Sequence, residues 1–298
     1  MLINFMKFIY CLLLLSFSTF AMAQNPLKKE KISINNIERD FTTYLPTAFN
    51  DQHHLPVVIA LHGALASPKG MFRLADFRPI ADKEKFIVVC PASKHGWQDS
   101  RDVNEIDDVK FIDQLITYLV DTYHADANRI YLTGISKGGF LVSRLSCQLS
   151  NKIAAVAIVS ATLDSNEGYQ PVNPLPIMFI HGSKDHIVSY NGGKMFGRKI
   201  YSHQQIIKKW VDLDQCNPKP QVTQIPDTAN DGTSIVKEEY TNHKNGLKVI
   251  GYTVNNGGHT WPGGWQYLPA FIVGKTTMNL NACQTIWDFF KPYQLNSL

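Results

Sequence analysis

The sequence predicts an α/β fold, a mostly parallel central sheet with helices on both faces. Two observations carry this. Six short apolar runs recur along the chain: LPVVIALHG (55–63), FIVVCP (86–91), RIYLTGI (129–135), AAVAIVSA (154–161), LPIMFIHG (175–182) and LKVIGYTV (247–254). Helix-period patterns stand between several of them or follow them: 71–84, 109–123, 139–149, 203–213 and, near the end, 281–290. Strands that are apolar throughout must be covered on both faces, and crossovers through helices make neighbouring strands parallel. No internal repeat or Ser/Thr/Pro-rich linker interrupts the alternation, so a single domain is expected over residues 24–298.

Taken in chain order, the first segment is a secretory leader. Lys7 is the only charge before residue 28, and an apolar stretch too short to span a bilayer comfortably follows it. Ala21-Met22-Ala23 then supplies small residues at cleavage spacing, so cutting after Ala23 and a secreted or periplasmic protein are expected, with no stable membrane insertion afterwards. The formal net charge is only +4, with 29 Lys and Arg against 25 Asp and Glu, which argues against a nucleic-acid surface. Beyond the leader lie Cys90, Cys147, Cys216 and Cys283. They permit up to two disulfides in any of three pairings, while the apolar settings of Cys90 and Cys147 suit free thiols equally well. No CxxC, HxxxH or carboxylate–histidine cluster is present, so no metal or cofactor is expected.

In folds of this kind the chemistry lies beyond the carboxyl ends of the strands. The first run ends in His62-Gly63, where a turn can aim the N–H of Ala64, or else of Leu65, at a reaction centre. After the second run comes Trp97, a candidate cleft wall, and then Asp107 and Asp108 as helix N-cap and first-turn acid. The third run enters Gly134-Ile135-Ser136-Lys137-Gly138 and then a helix pattern. In G-x-S-x-G the serine sits on a sharp strained turn, and glycines two positions either side avoid collisions with backbone. Ser136 is thus a candidate nucleophile, with the Lys137 N–H as an oxyanion donor.

A serine hydroxyl needs a base, and the base an orienting carboxylate. Asp185 follows the fifth run. His259 follows the sixth, in NNGGHTWPGG (255–264), where glycines let the loop reach across the sheet. Trp261 and Trp265 flank it as candidate substrate-binding residues, whereas His62 and His181 read as structural. Ser136, Asp185 and His259 occur in the chain order of an α/β-hydrolase.

The motifs LHG, DDVKFI, GISKGG, HGSKD, GGHTWPGG and the terminal IWDFF resemble those of the secreted polyhydroxybutyrate depolymerase and feruloyl esterase family. The resemblance spans nearly all of the chain after the leader. It implies an α/β-hydrolase fold and serine-esterase chemistry, with Ser136 as nucleophile, Asp185 as acid and His259 as base. Ala64 replaces a cysteine that members often carry after the first HG. A second cysteine, which members often carry before the strand leading to the histidine loop, is also missing, so a disulfide from Cys216 loses its partner. The expected partner is a small or oligomeric ester. A serine peptidase of the same fold, or a binding protein on a hydrolase scaffold, would carry similar motifs.

Overall fold

The structure, a computed structural model, describes residues 26–295 apart from 94–95, 99–106, 167, 169 and 196. The leader and its Ala21-Met22-Ala23 site lie outside the described residues. The chain opens with a hairpin, β1 (Lys28–Ile34) and β2 (Ile37–Tyr44). β3 (Val57–Leu61), α1 (Pro68–Leu74), α2 (Arg78–Glu84), β4 (Ile87–Pro91), α3 (Asp108–Tyr123), β5 (Ile130–Ile135), α4 (Lys137–Gln148), β6 (Ala155–Val159) and β7 (Ile177–Gly182) follow. A small two-stranded ribbon, β8 (Gly193–Met195) with β9 (Arg198–Ile200), precedes α5 (His203–Leu213). The chain continues through β10 (Gln221–Ile225), β11 (Ser234–Thr241), β12 (Lys248–Asn255), α6 (Ala270–Val273) and α7 (Ala282–Phe290).

Ten strands form one sheet in the order β1-β2-β4-β3-β5-β6-β7-β12-β11-β10. From β4 to β12 every pairing is parallel. Those six strands are the six apolar runs. They alternate burial between two cores: Val57, Ile59 and Leu61 face α3, α4 and α5, while Val58 and Ala60 face α1, α2 and α7. A strand with no solvent face has no polar residue to alternate, which is why its sequence reads as a continuous apolar run.

The antiparallel flanks were not expected. β1 and β2 join through Asn35 and Asn36, both at positive φ (49° and 63°), as a tight hairpin turn requires. Their signal was the Asn-Asn pair between alternating residues. β10 and β11 extend the other edge, where β10 is mostly exposed and carries little apolar pattern. The pattern over 71–84 forms two helices instead of one. Pro79 lies in the first turn of α2, where its missing N–H costs nothing, and the Asp76 carboxylate accepts from Arg78 N–H to turn the chain. Asp107 caps α3 as expected, accepting from Val109 and Lys110 N–H at 3.0 and 3.1 Å. Asp108 does more than complement the helix end. It is buried in an ion pair with Arg39 of β2 and accepts from Gln98 N–H at 2.6 Å, tying the segment after β4 to the sheet.

Cys90, Cys147, Cys216 and Cys283 are all buried and unbridged. Burial raises the Cys147 and Cys216 thiols to about 11 and Cys283 to about 12, so they behave as inert apolar groups. None of the described helices is long and apolar enough to cross a membrane.

Candidate active site

Four loops meet at the carboxyl ends of the parallel strands. Ser136 follows β5 and precedes α4, with φ 56° and ψ −126°. This conformation is costly for a residue with a Cβ and marks stored strain. Its side chain makes no capping bond, so the serine does not serve as an ordinary helix cap. The motif glycines are explained by space. A Cβ on Gly134 would lie 2.8 Å from the carbonyl carbon of Gly138, and a Cβ on Gly138 would overlap the Leu61 and His62 carbonyls. The chain after β3 lies equally close: a Cβ on Gly63 would stand 3.4 Å from the Cβ of Ser136.

That loop is held rigidly. His62 Nε2 accepts from Ser93 N–H at 3.3 Å, so the ring proton sits on Nδ1, which donates to Gly63 O at 2.7 Å. Burial lowers the His62 pKa, which keeps this neutral form. Trp97 donates from Nε1 to His62 O at 2.8 Å and is 2% exposed. It is therefore a buttress behind the loop, not a wall of the cleft. Its indole N–H has its acceptor in the interior, and the ring follows it there.

Asp185 stands in the turn after β7. Its Oδ1 accepts from Ile187 and Val188 N–H, both at 2.8 Å, and its Oδ2 lies 2.7 Å from His259 Nδ1. Burial pushes this carboxyl up, but bonds from His181 and His259 outweigh it and hold the pKa at about 2. The group is a fixed anion against the imidazole.

The loop after β12 brings His259 inward across two strand ends. Lys184 N–H, beyond β7, donates to Gly257 O at 2.8 Å, and Ser160 Oγ, beyond β6, donates to Thr260 O at 3.3 Å. Gly257 and Gly258 allow this by lacking side chains, not by unusual dihedrals: a Cβ on Gly258 would overlap Val273 O, and one on Gly182 would overlap the Gly257 carbonyl. Tyr267 Oη donates to His259 O at 2.7 Å and pins the crossing.

His259 and Ser136 line one cavity of about 530 Å³, with Gly63, Ala64, Met71, Leu74, Ile135, Ile187, Trp265, Tyr267 and Leu268 among its walls. Of the expected tryptophans only Trp265 is here, 43% exposed, with the Arg73 guanidinium 4.2 Å from its ring. Trp261 is 1% exposed and packs edge-on against Phe77 at 6.3 Å, because the loop turns into the core after His259. Tyr267, Ile187 and Leu268 were not read from the sequence, where nothing distinguishes them from other loop residues. Among the described residues no group of three or more His, Cys, Asp or Glu is arranged to hold a metal ion.

Residues 45–219 match the family model described as Phospholipase/Carboxylesterase. The chain belongs to this family of α/β-hydrolases. As a family member its activity class is carboxylic ester hydrolysis. It is 28% identical over 253 residues to a protein of Nocardia uniformis subsp. tsuyamanensis designated Putative esterase NocK, covering 78% of this chain and 73% of that one. It is 27% identical over 244 residues to feruloyl esterase B of Piromyces equi, covering 76% of this chain but only 44% of the fungal protein. An acetyl xylan esterase from Aspergillus awamori shares the fold, with a TM-score of 0.58 at 15% identity over 78% of this chain and 94% of its own.

Proposed function

We propose that the protein hydrolyses short acyl, hydroxyacyl or hydroxycinnamoyl esters through Ser136, His259 and Asp185. The observation that carries this is the Asp185–His259 bond of 2.7 Å, with His259 lining the same cavity as a serine held at positive φ. The Nδ1–H of His259 donates to Asp185, so its Nε2 is left as the base. Ser136 Oγ loses its proton to Nε2 as it bonds to the ester carbonyl carbon. The developing oxyanion is received by the N–H groups of Ala64 and Lys137. As the tetrahedral centre collapses, the C–O bond to the alcohol breaks and the imidazolium returns the proton to that alcohol. Water then repeats the sequence on the acyl-serine, releasing acid and free Ser136.

The walls support the substrate class. Leu65, Ile187, Trp265 and Leu268 form an exposed apolar mouth over a cavity of about 530 Å³, room for a compact or planar acyl group. Feruloyl and acetylxylan esterases among the relatives agree with this reading. The test is kcat/KM across p-nitrophenyl acetate, butyrate, octanoate and palmitate, with methyl ferulate and a matched amide. Rates should favour the short and aryl esters, Ser136→Ala should remove about a thousandfold or more of turnover, and Trp265→Ala should impair ferulate more than acetate. Rates climbing steadily to palmitate, or wild-type turnover by Ser136→Ala, would overturn the proposal. The leader further places this reaction outside the cytoplasm as one catalytic domain over 24–298. Recovery there of a chain that still begins at Met1, instead of at Gln24, would refute export.

A further inference from the structure

Two histidines, not one, lie against the Asp185 carboxylate. His181, in β7 four residues before Asp185, places Nε2 3.2 Å from the same Oδ2 that His259 holds. The same Nε2 lies 3.0 Å from Val188 O. Both oxygens are acceptors, so Nε2 carries the ring proton, which is hydrogen-bonded to Val188 O with Asp185 Oδ2 beside it. The buried Nδ1 has no hydrogen-bond partner among the described residues. The side chain is 1% exposed. One N–H therefore ties the turn 185–188 back to the end of β7 and sets a positive dipole against Oδ2.

The other titratable groups nearby leave this arrangement undisturbed. His203 meets the His181 ring edge-on at 5.7 Å, and burial, then the proximity of His181, keeps it neutral. Tyr190, also 5.7 Å from His181, is bonded to Thr253 Oγ1 at 2.9 Å. Burial and then the Asp185 charge raise Tyr267 to about 12, so it stays a phenol bonded to His259 O. His62 lines the shared cavity in its neutral form. Lys184 and His186, the chain neighbours of Asp185, line a separate cavity.

We infer that His181 is a positioning residue for the hydrolysis, holding Asp185 Oδ2 on the axis of His259 Nδ1 and sharing its negative charge. The inference rests on the triad reading above. Without His181 the Oδ2 end loses one of its two neighbours and is held less firmly on that axis, and kcat falls. The carboxylate also becomes more basic and holds the imidazolium more strongly. The base then loses its proton at higher pH, so the acid limb of the kcat profile moves up.

Three variants test this: His181→Gln, His181→Asn and His181→Leu. A glutamine amide nitrogen reaches the position of the histidine Nε2, while an asparagine amide nitrogen stops near Nδ1. Fluorophosphonate labelling of Ser136, carried to completion, counts competent sites, so misfolded chains do not enter kcat. His181→Gln should stay within about threefold of wild type with its acid limb in place. His181→Asn and His181→Leu should lose about tenfold in kcat per site, the scale known for outer partners of ligating histidines, with KM little changed and the acid limb shifted up. Wild-type kcat and an unmoved limb in the asparagine or leucine protein would overturn the role, as would a glutamine variant no better than asparagine. If the leucine chain does not fold, the glutamine–asparagine pair decides. A wild-type protein that neither takes the label nor turns over esters would overturn the triad reading, and His181 with it.

Discussion

Replacing Asp185 with asparagine should separate the site's geometry from its chemistry. The carboxylate accepts from two backbone N–H groups at Oδ1 and from His259 at Oδ2, with His181 Nε2 3.2 Å from Oδ2. Asparagine offers one acceptor oxygen and one NH₂. With the oxygen kept on Ile187 and Val188 N–H, the NH₂ faces His259, whose Nδ1 must then accept. The ring proton moves to Nε2, and on the proposed mechanism the base is lost. The cost should be about three to four orders of magnitude in kcat, or ~4–5.5 kcal/mol of barrier, with KM within a few-fold. A stability effect accompanies it. A folded pKa of about 2 against an ordinary 3.8 means that the native state releases a proton more readily than the unfolded chain. Its contribution, about 2 kcal/mol, is present above roughly pH 4 and lost as pH falls toward about 2. The variant should therefore unfold more easily near neutrality and show less acid sensitivity in that window. The assay is steady-state hydrolysis of p-nitrophenyl acetate per labelled site, with urea unfolding at several pH values. A kcat within tenfold of wild type would refute the tautomer argument.

Two further outcomes are expected. Asp214 is buried with Oδ2 unpartnered, and burial raises its pKa to about 7 against the bond from Leu175 N–H. The native state thus binds a proton that the unfolded chain has lost between about pH 4 and pH 7, so stability falls as pH rises through that window, by up to ~4 kcal/mol. Asp214→Asn should raise the urea midpoint near pH 8 and change it little near pH 4; a loss of stability near pH 8 would contradict the assignment. Gly138→Ala would drive a methyl into the Leu61 and His62 carbonyls and displace the loop carrying Ala64. It should destabilise by about 1–3 kcal/mol and lower kcat in the folded fraction, and wild-type Tm with wild-type kcat would show that the elbow has slack.

The six parallel strands were legible because full burial leaves a continuous apolar run in the sequence. Ser136, Asp185 and His259 could be picked out as candidates because each follows such a run in hydrolase order. Both signals are local. The antiparallel edge strands were harder to see, since their exposed faces dilute the apolar pattern, as in β10. What only tertiary structure decided depends on contacts between segments far apart in the chain. Trp97 and Trp261 read like Trp265 in sequence, yet the first two are buried and only Trp265 reaches the cavity, because each ring follows the path its loop takes over the sheet. Gly257 and Gly258 looked like flexibility and proved to be space for closely approaching backbone, whereas Gly263 does take a positive φ of 74°. His181, four residues before Asp185, read as structural, and its place on the same carboxylate oxygen as His259 appears only once the turn after β7 has folded back. Residue type and order set which chemistry is available; packing and shared hydrogen bonds set which side chains can take part.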